Sequence, residues 1–139
     1  MARSDAFVET LATVPLFSAC SKKELALVAK GAEHLSVAAG KVIVTEGAAG
    51  SEFFVIISGD ARVERSGKLV ATLGPGAFFG DLALLDRAPR NASVIAESPM
   101  ELARVGQKAF DALLDVPGFS KKLLAGLARR LRQEDARTR

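Results

Sequence analysis

FFGDLALLDRAPRNASV, residues 78–94, places two strand-like ends around a piece that cannot be strand. Gly80 permits a sharp bend, DLALL is a short helix-forming stretch opened by an acid, and Pro89-Arg90 comes just before another strand-like piece at Ser93-Val94. A glycine before a helix start leaves backbone N–H groups pointing outward along the positive end of the helix dipole. Gly80 and the amides of 81–83 therefore make a place for an anion. Arg90 completes it, because a guanidinium presents a rigid fork of donors matched to phosphate oxygens. Asp81 accepts hydrogen bonds only, so it repels phosphate but suits a ribose hydroxyl.

Outward from this stretch, the surroundings are β-rich. KVIVTEG, EFFVIISGD, ARVERSG, KLVATLG, NASVIAES and MELARVG follow one another between Leu35 and Val105, separated by glycine-containing turns. The spacing predicts a sandwich or barrel. The run Phe53 to Ile57 is too continuous for a half-exposed strand and is expected to cross the middle of the core, and Ser58-Gly59-Asp60 reads as a tight hairpin. Helical signals flank this region. Phe7, Val8 and Leu11 precede Pro15; Ser21 and Glu24 form a capping-box signature; Phe110, Leu113 and Leu114 end near Pro117. Phe119, Leu123, Leu127 and Leu131 recur every four residues, with Leu124 beside them, predicting an amphipathic helix over 119–135, about 25 Å long.

At 139 residues, half of them apolar and a quarter charged, the chain suits one globular domain that needs no disulfide or structural metal. The expected fold is mainly β with flanking helices (α+β): a double-stranded, jelly-roll-like β-roll over 33–106, N-terminal helices over 3–31, a short cassette helix, and C-terminal helices over 107–135. A single cysteine, Cys20, and no secretory pattern at the N-terminus fit a reducing cytoplasm. No apolar run approaches the roughly 20 residues of a membrane helix. Residues 118–139 carry seven Lys/Arg against two acids, which leaves the remainder at −2. Such a run reads usually as a solvated helix face and less often as a nucleic-acid or acidic-partner contact, and with no helix-turn-helix pattern in the sequence nucleic acid is the lesser expectation.

The 78–94 stretch resembles the phosphate-binding cassette of the cyclic-nucleotide-binding domain family, whose usual form is F-G-E-[LI]-A-L, a short insert, then P-R-[ATS]-A-[TS]-V. VPLFSACSKKEL (14–25), the glycine-punctuated roll and the closing helix resemble the same family, over residues 13–133. The resemblance implies that Arg90 binds a cyclic phosphate and Asp81 the ribose 2′-hydroxyl. It also implies phosphate bonds from backbone amides at Gly80, Leu82, Ala83 and Ala92. With Phe79 and Asn91 the expected ligand-binding set is Phe79, Gly80, Asp81, Leu82, Ala83, Arg90, Asn91 and Ala92. Leu124, Leu127 and Leu131 are the expected lid over the base. The implied ligand is cyclic AMP ahead of cyclic GMP, and the implied partner is an effector protein or a second copy docked through the C-terminal helix.

Two positions depart from the family pattern. Asp81 replaces Glu and holds its carboxylate one methylene, about 1.5 Å, further from the sugar. Asn91 stands where Ala, Ser or Thr is usual. These departures carry the alternative function, a protein-interaction relative that has lost the ligand. The residues also admit structural readings: Arg90 as an ion-pair partner of Asp81 or Asp86, and Asp81 as a helix N-terminal acid. Phe78 and Phe79 face opposite sides of a strand, so at least one is expected in the core. His34 and Cys20 have no spaced partners and read as structural. One histidine cannot supply a cupin-like metal site, and GxGxxG would need glycine at Phe79. No catalytic residue, metal or cofactor is expected, and the predicted chemistry is binding.

Overall fold

The computed structural model describes residues 2–80, 84–85 and 88–138. Helix α1 (Ala2–Ala12), a 3-10 turn (Pro15–Phe17) and α2 (Lys22–Lys30) lead into eight strands: β1 (Ala32–Val37), β2 (Val42–Val44), β3 (Glu52–Ser58), β4 (Ala61–Arg65), β5 (Lys68–Leu73), β6 (Phe78–Phe79), β7 (Ser93–Ala96) and β8 (Met100–Gly106). Helices α3 (Gln107–Leu114) and α4 (Pro117–Thr138) close the chain. The strands form two antiparallel four-stranded sheets, β1-β8-β3-β6 and β2-β7-β4-β5. This is the β-roll with flanking helices that the sequence predicts.

Local chemistry explains the element ends. Ser21 Oγ accepts from the Glu24 amide at 3.1 Å while Glu24 Oε1 accepts from the Ser21 amide at 2.7 Å, so both arms of the capping box start α2. Gly59 turns β3 into β4 at φ +90°, with Pro99 and Met100 so close that a side chain there would collide.

The apolar run of β3 proves to serve two cores at once. Phe53 and Val55 join Leu11, Phe17, Leu25, Phe110, Phe119 and Leu123 beneath the helices. Phe54 and Ile56 face the other sheet, with Val63, Ala71, Val94 and Leu102. A strand covered on both faces needs apolar residues at every position, which is why this run does not alternate. β6 repeats the division: Phe78 packs under the helices and Phe79 between the sheets, stacked on Phe54 at 5.0 Å. No helix among the described residues is long and apolar enough to cross a membrane.

Candidate anion site on the roll

Arg90 is the one charged side chain among the described residues that is buried, at 7% exposure. A buried cation is costly unless its surroundings compensate it, and these do. Nη1 donates to the Gly80 carbonyl at 2.9 Å and Nη2 to the Glu52 carbonyl at 3.0 Å. The backbone is clamped as well, with Arg90 N on Ala48 O and Gly47 N on Arg90 O, both at 2.8 Å. Two glycines make room for the guanidinium. Gly80 has φ +85°, and a Cβ there would sit 2.7 Å from the Glu52 carbonyl and 2.8 Å from Arg90 Nη1. At Gly50 a Cβ would run into Nε and Cζ of Arg90. A pocket of about 480 Å³ adjoins this cluster, lined by Gly47, Gly50, Ser51, Pro89 and Gln107 among others.

Of the other expected ligand residues, Ala92 is buried and Phe79 lies in the inter-sheet core. Asn91 is exposed, and its carbonyl accepts from Arg65 Nε at 2.9 Å. Asp81, Leu82 and Ala83 lie outside the described residues. Leu84, immediately after them, is helical and packs into the helix-side core. Its carbonyl accepts from Gln107 Nε2 at 3.2 Å, and the same amide donates to Asp111 Oδ1 at 2.8 Å, which ties α3 to the cassette.

Helix α4 lies along β5 and β6. Phe119 and Leu123 are buried and Leu127 packs against the helix-side core, but Leu124 and Leu131 point to solvent at 65% and 69% exposure. The structure thus brings one of the three expected lid residues to the roll. A four-residue spacing advances about 40° per step around a helix. From Phe119 to Leu131 the stripe has drifted about 120° and left the docked face. Gly126, Arg130 and Gln133 occupy that face instead. Arg130 Nη1 donates to the Phe78 carbonyl at 2.9 Å, and Gln133 Oε1 accepts from the Thr72 amide at 2.6 Å. Sequence reasoning missed Gly50, Gln107, Arg130 and Gln133. A glycine at mid-helix, Gly126, was the one available sign that the helix backbone meets something closely.

His34 and Cys20 stand apart from this cluster. His34 pairs with Glu101 at 2.8 Å and stacks on Phe7 with ring centroids 5.5 Å apart. Burial pushes the Cys20 thiol above its ordinary pKa, and the Glu24 carboxylate adds to the effect.

The family model for the cyclic nucleotide-binding domain matches residues 34–116. The cAMP-dependent protein kinase regulatory subunit of Hypocrea atroviridis is 38% identical over 113 residues, covering 81% of this chain and 24% of that protein. The chain thus spans about a quarter of the length of the curated relatives it matches. Among solved structures, cAMP-bound PfPKA-R superposes with a TM-score of 0.83 at 26% identity, covering 96% of this chain and 46% of that one. The catabolite activator protein of Thermus thermophilus superposes at 0.72 with 33% identity, covering 89% of this chain and 61% of that one. A buried arginine between glycines, at the strand-to-strand link of a two-sheet roll, agrees with those matches: this chain belongs to the cyclic nucleotide-binding domain family.

Proposed function

We propose that residues 1–139 act as one cytoplasmic receptor module for a cyclic nucleotide, cyclic AMP ahead of cyclic GMP, and that binding is signalled through α4. The observation that carries this reading is Arg90. Its charge is held in the interior by two carbonyls and given room by Gly50 and Gly80. It precedes Ala92 and follows the helical Leu84-Leu85 turn, where the family's phosphate-binding motif falls. Relatives named as cAMP-dependent, and a neighbour with cAMP bound, support cyclic AMP as the ligand. Asp81 takes the ribose hydroxyl, and the amides of Leu82, Ala83 and Ala92 share the phosphate with Arg90. No bond is broken. The output is a shift in how α4 sits, felt by an effector protein or by a second copy, and the solvent-facing Leu124 and Leu131 support such a contact.

Calorimetric titration of the purified chain with cyclic AMP and cyclic GMP tests the reading. Saturable heat with cyclic AMP is expected, and no heat with either nucleotide at millimolar concentration overturns it. With no Trp or Tyr in the sequence, absorbance near 260 nm in the purified chain reveals co-purified nucleotide directly. A second reading, a ligand-free interaction module, draws on the fact that both terminal nitrogens of Arg90 already donate to backbone carbonyls. It predicts the silent titration.

A further inference from the structure

Two arginines hold β6 and the glycine that follows it, and one of them lies far outside the cassette. The Ala77 carbonyl faces β3, accepting from the Ile56 amide at 2.8 Å, so the next carbonyl, that of Phe78, points to the opposite edge. There Arg130 donates to it at 2.9 Å, with its guanidinium carbon 5.5 Å from the Phe78 ring centroid. Two residues on, the Gly80 carbonyl accepts from Arg90 at 2.9 Å.

We propose that Arg130 is a positioning residue for the anion site: by holding Phe78 it fixes β6, and with it the Gly80 carbonyl that aims the Arg90 guanidinium. The proposal rests on the reading that Arg90 takes the nucleotide phosphate. Gly126 makes the contact possible. Glycine inside a helix is unfavourable relative to alanine, yet a Cβ here would run into Cε2 of the Phe78 ring. Only a bare backbone lets α4 approach closely enough for Arg130, one turn later, to reach the Phe78 carbonyl. Gln133 extends the same helix face to the Thr72 amide of β5. β6 and β5 are the terminal strands of their respective sheets. Positions 126, 130 and 133 therefore clasp the ends of both sheets with one helix face. Because coupling between two sites is reciprocal, a clasp that favours nucleotide binding is itself tightened by the nucleotide.

Arg130→Met keeps an apolar stem over Phe78 and removes the donors, and the Thr72 amide reports the clasp through hydrogen exchange. Calorimetry with cyclic AMP and exchange measured by NMR, on wild type and variant, form the test. Expected are a loss of affinity of about fivefold or more in the variant, in the range usual for coupled sites, and partial recovery in Arg130→Lys. Saturating nucleotide should also slow Thr72 exchange in the wild type and leave it unslowed in Arg130→Met. Gly126→Ala, which leaves Arg130 in place but lifts the helix, should reproduce both losses. Unchanged affinity in Arg130→Met beside a wild type that binds overturns the role of Arg130 and leaves Arg90 as the phosphate ligand. A wild type that takes up no nucleotide overturns the underlying reading, and the proposal with it.

Discussion

The core beneath the helices and the core between the sheets share strands but differ in kind. The first gathers Phe17, Phe53, Phe78, Phe110 and Phe119 into a chain of ring contacts, with centroids 5.0 to 6.4 Å apart. The second holds one stacked pair, Phe54 and Phe79, among valines, alanines, Ile56, Met100 and Leu102. Two sheets stack at a nearly even spacing of about 10 Å, which small and β-branched side chains fill. Helices crossing a sheet leave uneven gaps, and flat rings fill those better. The difference matters for the site because β6 sends one ring into each core and Leu84 anchors the far side of the cassette in the first. The helix-side core should therefore be coupled to ligand affinity, and the inter-sheet core chiefly to stability.

The strongest way to break that comparison is Phe110→Ala. Full burial of this ring predicts a loss of about 3–5 kcal/mol in urea denaturation, accompanied by weaker nucleotide binding, since α3 also carries the Gln107 bond to Leu84. Retained affinity in a destabilised variant would uncouple the helix-side core from the cassette. Arg90→Ala separates the two properties from the other direction. It should cost about 2–5 kcal/mol of cyclic AMP binding, roughly 30-fold or more, by leaving a buried phosphate without its partner. An affinity equal to wild type in titration calorimetry would remove Arg90 from the ligand set.

Ile56→Val sharpens the contrast from the sheet side. Deleting one methylene between the sheets should cost about 0.5–1.5 kcal/mol and leave nucleotide affinity unchanged. The smallest effect belongs to Cys20. Because the folded state raises its thiol pKa, its contribution to stability is complete below the unfolded thiol's pKa and is lost as pH rises through the folded value. Alkylation followed against pH should show a midpoint that falls on denaturation, and equal midpoints in the two states would contradict the burial effect.

How legible each feature was follows from the range of the interactions that make it. The capping box of Ser21 and Glu24 spans three residues, and the Gly59 hairpin is set by one backbone torsion; both stand in the sequence as they stand in the fold. The uninterrupted apolar run of β3 marked a strand through the middle of the core. Gly50 against Arg90 joins residues 40 apart, Gln107 and Leu84 are 23 apart, and Arg130 and Phe78 are 52 apart. None of these pairings leaves a periodic trace. The leucine stripe of the last helix is a related case: four-residue spacing marks a helix as amphipathic without stating where the docked face ends.

By itself the sequence determined the strand-rich roll, its flanking helices, the glycine-to-arginine cassette and hence the family, because these depend on local backbone preference and on a short motif. The tertiary structure alone decided that one apolar strand feeds two cores, that Gly50 and Gly80 frame a buried Arg90, and that α4 meets the roll through Gly126, Arg130 and Gln133. Those features arise from the packing of surfaces distant along the chain. What a side chain meets there is set by the relative placement of whole elements, which no local pattern encodes.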